Sequence, residues 1–468
     1  MSKNYNHEQQ LDKDGIPKVV SIREYLGDAC GMAATNCISQ VCGYISYFYT
    51  DKVGMAAASA SLILLIATLS DGISDLIMGR LFDKAKFKEG KCRPWLKMMI
   101  LPMFFAVFLL TLVPKANPGV QIAYGVSTMV FARAVVFTAI TIPYFALLNY
   151  TTKSLEERGK LGNMRTAFNN AVGVIFGITI IPVTNLLGGT QKSWVIFAGI
   201  VGLLGSLLLS VCYKCTHERY RDEVSEGGKS EADEVSVLAS LNILLHNKYW
   251  VVIVIAQFFL FVIFVLQGAA LPYYCKWILG NDNLSAVVNM CSIPALVLSF
   301  LAMPVIIKKT SLRTAGIIGI IVGLIGTVIR IANPTSFPVF AIGYACIIFA
   351  TSALSTVMLP MVVNTSEWND YKFGYKLVGM TNSAASFGSK VGAALGSALM
   401  GAVLSAGGYN SKLAAQTPSS IRSICYINIH IIGLCLIVIF ICFLFYTLEK
   451  RYPEILRANE ERRRNGGK

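Results

Sequence analysis

The chain carries twelve long apolar stretches, each separated from the next by a more polar segment. An apolar run of about 20 residues lets a helix cross the hydrocarbon core of a bilayer. The composition agrees with this, because 54% of the 468 residues are hydrophobic and only 14% are charged. We therefore predict an all-α polytopic membrane protein. The predicted spans are 26–50, 54–82, 97–114, 120–150, 163–187, 193–214, 248–276, 284–307, 314–332, 338–364, 377–406 and 423–447.

The basic residues lie in alternate loops, clustered after the second, fourth and eighth spans and in the C-terminal tail. Loops rich in lysine and arginine stay on the cytoplasmic side of a membrane. We therefore predict that both termini are cytoplasmic. This topology, together with anionic lipid, also accounts for the net charge of +15, so we expect no nucleic-acid partner.

A polar segment divides the twelve spans into six and six. We predict a cytoplasmic N-terminal segment (1–25), an N-terminal six-helix bundle (26–214), a cytoplasmic linker (215–247), a C-terminal six-helix bundle (248–447) and a solvated cytoplasmic tail (448–468). This plan is similar to that of the major facilitator superfamily. The loop after the second span agrees, because Gly79, Asp83 and Lys84 fit the G-x-x-x-D-(R/K) gate motif of that superfamily. We assign these residues and the nearby Arg93 to a cytoplasmic gate.

Two aspartates, Asp71 and Asp75, lie within the second apolar span, four residues apart. On a helix that spacing puts both carboxylates on one face. A charged side chain near mid-membrane costs about 2.5–3.5 kcal/mol, so such residues are usually functional. The pair favours capture of a cation, either sodium held by carboxylate oxygens or a proton. The alternative is a packing pair that a buried lysine or arginine neutralises.

Hydroxyl side chains of the fourth span reach the same depth as these aspartates. Counted from the predicted span starts, Asp71 and Asp75 lie about 17 and 21 residues deep, and Thr138 and Thr141 about 18 and 21. A hard cation binds several oxygens of this kind. Ser74, next to Asp75, offers another. We therefore predict an oxygen-rich site at this level.

Three basic residues within the apolar spans are candidates for a functional role. Arg133 lies near mid-membrane, where it either faces a cavity and binds a carboxylate or phosphate, or pairs with an aspartate. Lys390 either tunes the cation site or forms a fixed ion pair with its aspartates. Arg165 begins the fifth span, where it can snorkel to the surface or pair with Asp28. The aromatic run at the end of the first span (Tyr44, Tyr47, Phe48 and Tyr49) is typical of a membrane-interface belt.

Several segments together resemble the glycoside–pentoside–hexuronide:cation symporter family of the major facilitator superfamily. The strongest is DGISD…GRLFDK…KCRPW, which is similar to the family signature D-x-x-x-D-P-x-x-G…R-x-R-P-W. The others are YFYTDKVG (47–54), IPYFALL (142–148), Arg165, Asp370–Tyr371 and SFGSKVGAALG around Lys390. They run in the family's order over nearly the whole chain. The chain departs from the signature at Leu76, where the family has proline.

The resemblance implies a role for most of the candidate residues. It implies that Asp71, Ser74, Asp75 and Thr138 bind the coupling cation, that Lys390 is tied to that site, and that Arg165 belongs to the sugar site. Positions that bind sugar in a family member align with Thr35 or Asn36, Thr141 and Phe145. Because Thr141 and Phe145 replace an aspartate and a tryptophan, we expect a substrate other than a plain galactoside. Arg133 is then a candidate ligand for an anionic group such as a uronate carboxylate.

The sequence therefore predicts a transporter of the cell membrane rather than an enzyme. The four histidines are scattered, and no nucleophile–base pair or metal set is visible. We expect symport of a glycoside, pentoside or hexuronide with sodium or a proton, by a chain that functions as a monomer. The partners are a small-molecule sugar and membrane lipid, with no cofactor beyond the coupling cation. The alternatives are transport of an amphiphile such as a lysolipid, and an uncoupled sugar facilitator.

Overall fold

The computed structural model describes residues 17–464 apart from 86, 88, 221–236 and 375–377, and it consists of helices joined by short loops. The helices of the first half are α1 (Ile22–Tyr47), α2 (Ala57–Lys84), α3 (Arg93–Thr111), α4 (Pro118–Val130), α5 (Thr138–Thr151), α6 (Leu155–Leu186) and α7 (Gln191–Cys215). Those of the second half are α8 (Val237–His246), α9 (Lys248–Trp277), α10 (Leu284–Lys309), α11 (Leu312–Ala332), α12 (Phe337–Phe373), α13 (Val378–Ala406), α14 (Pro418–Cys425), α15 (Ile431–Phe445) and α16 (Leu448–Arg464).

Within the described part of the chain, three π-helical segments interrupt this regular pattern. They are π1 (Phe48–Val53), which continues α1, π2 (Phe131–Phe137), which joins α4 to α5, and π3 (Tyr426–His430), which joins α14 to α15. A π-turn is one residue wider than an α-turn, and such turns are frequent at functional sites.

The predicted spans are confirmed as helices. Among the described residues, eleven helical stretches are long and apolar enough to cross a bilayer, and they overlap the second to twelfth predicted spans. The first predicted span, 26–50, falls on α1 and π1, which are less apolar because they carry side chains such as Asp28, Asn36 and Gln40. The architecture fits the twelve-helix plan.

The described residues fall into two compact units. The first comprises residues from 1–42, 70–176 and 187–227, and the second comprises residues from 43–69, 177–186 and 228–468. This grouping differs from the predicted bundles 26–214 and 248–447, because parts of α1, α2 and α6 group with the second unit. Of the predicted linker 215–247, residues 221–236 lie outside the described residues, as do residues 1–16 and 465–468 of the predicted terminal segments.

In the first unit, a carboxylate fixes the start of α3. Glu218, which is 7% exposed, accepts hydrogen bonds from the backbone N–H groups of Lys91 (2.7 Å), Cys92 (2.9 Å) and Arg93 (2.7 Å). A negative charge at a helix N-terminus satisfies unpaired N–H groups and complements the helix dipole. Gly90 makes this possible, since its φ is 133° and a Cβ there would lie 2.6 Å from the Glu218 carboxylate.

In the second unit, α11 and α12 cross at very short range. A Cβ added to Gly326 would lie 2.6 Å from the carbonyl oxygen of Gly343, and a Cβ on Gly343 would lie 2.6 Å from that of Gly326. Small residues at such a crossing let the two backbones touch, which is how helices associate where lipid supplies no hydrophobic driving force.

The sequence predicted a solvated C-terminal tail, but part of this tail packs against the protein. Its residues form α16, in which Leu448 and Ile455 are buried. Asn459 donates to the carbonyl oxygen of Glu367 at 3.0 Å, and the guanidinium of Arg462 pairs with Asp370. The amphipathic helix therefore docks on the end of α12 within the second unit.

The aromatic run at the end of α1 does not form an interface belt, so that prediction is wrong. Tyr47, Phe48 and Tyr49 are all 0% exposed. Tyr47 donates to the carboxylate of Asp282 at 2.7 Å, and its ring packs edge-on against that of Tyr273. These rings therefore lie inside the second unit, where the Tyr47 hydroxyl has a carboxylate partner.

We expect Glu218→Ala to lower the free energy of unfolding by about 1–3 kcal/mol, because three N–H groups, of which that of Cys92 is buried, lose their acceptor. The measurement is thermal melting of the purified protein in detergent. The control is Glu89→Ala, which removes an exposed carboxylate paired with Lys97 and should change stability by less than about 1 kcal/mol. Equal melting of the two variants would show that the Glu218 cap does not stabilise the fold.

Candidate functional site

Helix α2 presents three oxygen-bearing side chains on one face. Asp71, Ser74 and Asp75 stand at positions i, i+3 and i+4, which project in the same direction. Asp71 is 2% exposed, while Ser74 and Asp75 are half-buried. The carboxylate of Asp71 is therefore held inside the first unit.

The hydroxyl of Thr138, at the start of α5, lies at the centre of this group. Its Oγ1 is 3.1 Å from Oδ1 of Asp71, 3.2 Å from Oδ1 of Asp75 and 3.2 Å from Oγ of Ser74. A hydroxyl has one proton, so it donates to one of these oxygens at a time. The close placement of all four side chains agrees with the depths counted from the sequence.

The segment π2 supplies a further oxygen to the same group. The backbone carbonyl of Arg133 accepts from the N–H of Thr138 and lies 3.2 Å from its Oγ1. This i to i+5 pairing is the π-type bond, so the wider turn brings a main-chain oxygen to the Thr138 hydroxyl, which in turn contacts the side chains of α2. Oxygens of two carboxylates, two hydroxyls and one carbonyl match the ligands that a hard cation prefers.

Arg133 adds a positive charge beside this oxygen cluster. Its Nη2 lies 3.7 Å from Oδ2 of Asp71, and its side chain is 30% exposed. Of the two predicted roles, the structure supports pairing with an aspartate. The second role, binding an anionic group, stays a prediction.

The residues that the resemblance assigns to sugar are spread over α1 and α5. The hydroxyl of Thr35 donates to the carbonyl of Met32 at 2.9 Å, and that of Thr141 to the carbonyl of Phe137 at 2.9 Å. Asn36 donates to the carbonyl of Asn169 at 2.5 Å and so ties α1 to α6. Phe145 is 54% exposed. Their role in substrate binding stays a prediction.

Arg165 pairs with Asp28, which confirms the partner named from the sequence. Its Nε and Nη2 each donate to one carboxylate oxygen of Asp28 at 2.7 Å. The guanidinium also stacks on Tyr144, with 3.9 Å between its carbon and the ring centre. Because Arg165 is 5% exposed, this bidentate pair is a buried junction between α1, α5 and α6, and the predicted sugar contact of Arg165 stays a prediction.

The predicted gate residues lie where α2 ends and α3 begins. Gly79 and Asp83 are in the last turns of α2, and the exposed Lys84 is its final residue. The side chain of Asp83 lies outside the described residues. Arg93 is the first residue of α3 and donates to the carbonyl of Tyr213 at 3.0 Å. Their gating role remains a prediction.

Lys390 lies on α13 in the second unit, half-buried. Its predicted tie to Asp71 and Asp75, which belong to the first unit, stays a prediction.

A buried ion pair that sequence reasoning missed lies in the second unit. The side chain of Asp51 is 0% exposed and accepts from Nζ of Lys276 at 2.5 Å and from the hydroxyl of Tyr409 at 2.8 Å. Burial, followed by the charge of Asp51, raises the pKa of Tyr409 above its ordinary value, so its hydroxyl remains a donor. Asp51 is visible in the sequence as the acidic residue of the YFYTDKVG motif. Its partners could not be identified from the sequence because they lie more than 200 residues away.

Comparison with known proteins places the chain among sugar transporters. The profile of the family described as MFS/sugar transport protein matches residues 27–450. The Inner membrane symporter YicJ of Escherichia coli (strain K12) is 28% identical over 94% of both chains. The Isoprimeverose transporter of Lactiplantibacillus pentosus is 25% identical over 97% of this chain and 93% of that one. The crystal structure of the nucleoside transporter NupG, at 13% identity, superposes with a TM-score of 0.62 over 91% of this chain and all of that one, which shows a shared fold.

We expect Lys276→Met to lower the free energy of unfolding by about 3–5 kcal/mol, because the variant leaves the Asp51 carboxylate buried without its ammonium partner. Thermal melting in detergent measures the loss. Adding Asp51→Asn to the same variant should recover part of it, since no charge then remains buried. Lys192→Met, at an exposed position, is the control, and the pair has no stabilising role if both lysine variants melt together.

Proposed function

This chain belongs to the MFS/sugar transport protein family, and on that premise we propose that it couples transport of a glycoside, pentoside or hexuronide to a cation by symport. As a member of that family it is a multi-pass transporter of the cell membrane and not an enzyme. The coupling cation is sodium or a proton.

One observation carries the coupling proposal, namely the hydroxyl of Thr138 within 3.2 Å of both Asp71 and Asp75. Two carboxylates on one helix face repel each other, and a positive charge between them relieves that repulsion. Sodium would take Oδ1 of each aspartate together with the oxygens of Ser74 and Thr138. A proton would instead bridge the carboxylates. Either ion would lower the energetic cost of placing two carboxylates in an apolar span.

Two observations support the proposed substrate class. They are the named substrate of a relative and the residues Thr141 and Phe145, which replace an aspartate and a tryptophan of a family member. One relative is named a transporter of isoprimeverose, which supports a glycoside for this chain. Thr35, Asn36, Thr141, Phe145 and Arg165 are the proposed substrate contacts. Thr141 offers a hydroxyl and Phe145 an apolar ring to the substrate, which favours neutral hydrogen bonding and stacking over a carboxylate contact at these positions.

Transport would follow alternating access. Binding of the cation at Asp71 and Asp75 favours the state that binds substrate, and substrate then tightens cation binding by the same factor. Gly79, Asp83, Lys84 and Arg93 would open and close the path on the side that we predict to be cytoplasmic. Lys390 would adjust the charge of the cation site.

The test is radiolabelled uptake into proteoliposomes that carry an imposed sodium or proton gradient, screened with glycosides, pentosides and uronates. We expect one gradient to drive accumulation in the wild type and Asp71→Asn to abolish it, because the variant removes a cation ligand and its charge. Equilibration that needs neither gradient and survives Asp71→Asn would instead identify a facilitator and give the aspartates a structural role.

A second pair of variants tests the central hydroxyl. Thr138→Val should weaken the apparent sodium affinity at least about tenfold, because the variant removes an oxygen that the proposed site offers to the ion. Thr138→Ser keeps the hydroxyl and should stay within about threefold of the wild type, since only a methyl group is lost. Affinity is read from the cation dependence of initial uptake rates. Equal loss in both variants would mean that the methyl group, and not the oxygen, matters.

A further inference from the structure

Arg133 and the proposed cation share a single carboxylate. Oδ1 of Asp71 lies 3.1 Å from the Thr138 hydroxyl, on the side of the oxygen cluster, whereas Oδ2 lies 3.7 Å from Nη2 of Arg133. A cation at the cluster and the guanidinium would therefore both be attracted to the charge of Asp71. Because two positive charges near one carboxylate repel each other, the presence of either weakens the hold on the other.

The pair between Arg133 and Asp71 is loose by comparison with the other ion pairs of the chain. At 3.7 Å it is longer than a hydrogen bond between these atoms, whereas Arg165 meets Asp28 at 2.7 Å with both partners buried. The Arg133 side chain is also 30% exposed against 6% for Arg165. Arg133 can therefore leave its carboxylate at a smaller cost than Arg165.

Movement of Arg133 would also shift Thr138 in the oxygen cluster, because the two residues are linked through the Arg133 carbonyl. Its carbonyl accepts from the N–H of Thr138 and lies 3.2 Å from the Thr138 hydroxyl. The residue therefore contributes an oxygen with its main chain and a competing charge with its side chain.

We propose that Arg133 is a tethered cation that occupies Asp71 while the coupling ion is absent, and that an oxyanion of the substrate draws it away. This inference rests on the proposed symport. The substrate class is then an anionic glycoside that bears a carboxylate or a sulfonate, which a guanidinium binds through two parallel hydrogen bonds. When the guanidinium turns to that oxyanion, Asp71 gains affinity for sodium or a proton. Binding of the anionic substrate thus favours binding of the cation at Asp71.

The test measures cation binding without transport. The melting temperature of the purified full-length protein is followed against sodium chloride at constant ionic strength with choline chloride, and against pH in sodium-free buffer. We expect Arg133→Gln to bind the cation about tenfold more tightly than the wild type in the absence of substrate, within the range typical of coupled sites. Arg422→Gln, which removes an exposed guanidinium on α14, should bind as the wild type does.

Two matched probes test the role of the oxyanion. Methyl β-D-glucuronide and methyl β-D-glucoside differ only in the carboxylate, and the glucuronide should tighten cation binding to the wild type more than the glucoside does. This difference should vanish in Arg133→Gln. Arg133→Lys, which keeps the charge but not the planar fork, should keep cation affinity near the wild type and lose most of the response to glucuronide.

The outcomes separate this inference from the proposed function. Unchanged or weaker cation binding in Arg133→Gln, or equal effects of the two probes on the wild type, would overturn the tethered-cation role. Should Arg133→Gln not fold, an unaltered glucuronide response in Arg133→Lys overturns it instead. Failure of symport itself looks different, because neither sodium nor pH would then shift the melting of the wild type relative to Asp71→Asn.

Discussion

A carboxylate carried into an apolar span must find its partner within the protein, because lipid hydrocarbon offers none. Asp28, Asp51 and Asp71, among the described residues, meet that requirement with a basic side chain. Asp28 pairs with Arg165 at 2.7 Å, Asp51 with Lys276 at 2.5 Å, and Asp71 with Arg133 at 3.7 Å. The first two pairs are short. The pair of Asp28 and Arg165 joins helices within the first unit, and the pair of Asp51 and Lys276 joins elements within the second. The third is longer and lies beside an oxygen cluster, so its carboxylate has more than one possible partner.

Buried positive charge is accommodated in a second way at Arg330. This residue of α11 is 0% exposed, and among the described residues its guanidinium nitrogens have no hydrogen-bond partner. Its guanidinium carbon instead lies 4.4 Å from the ring centre of Phe340 and about 6 Å from those of Tyr274 and Tyr344. The negative faces of aromatic rings attract a cation by about 2 kcal/mol or more when water is excluded. Carboxylates have no such alternative, which is why each needs a charged or hydrogen-bonding partner.

Much of the fold and the centre of the site could be predicted from the sequence. Hydropathy located the spans because membrane helices must be apolar over a fixed length. Counting residues from the span starts placed Thr138 level with Asp71 because the rise per residue of a helix is constant. Both inferences use local geometry, and both agree with the structure. The partner of Arg165 was found because a buried arginine near one end of a span has few carboxylates within reach.

Features that depend on distant partners escaped the sequence. Asp51 and Tyr47 pair with Lys276 and Asp282, which lie more than 200 residues further along the chain. Glu218 follows α7 but fixes the start of α3. The periodicity of apolar residues in the sequence gives no information about such distant contacts. The π-turn at Arg133 was missed for another reason, since its sequence FARAVVF is compatible with a regular α-helix. Only the contacts made by the Arg133 carbonyl distinguish the two.

That π-turn explains why the charges of this site can be linked. Seven residues from Phe131 to Phe137 and the Thr138 that follows them carry the guanidinium and the hydroxyl that contact the aspartates of α2, and the main-chain carbonyl that contacts that hydroxyl. In a regular helix the carbonyl of Arg133 would bond to the N–H of Phe137, four residues on, and would not face Thr138. The wider turn instead commits that carbonyl to Thr138. In the mechanism that we propose, a displacement of Arg133 changes the charge beside Asp71 and, through Thr138, the position of a neighbouring oxygen, so a single local movement links binding of an anion to binding of a cation.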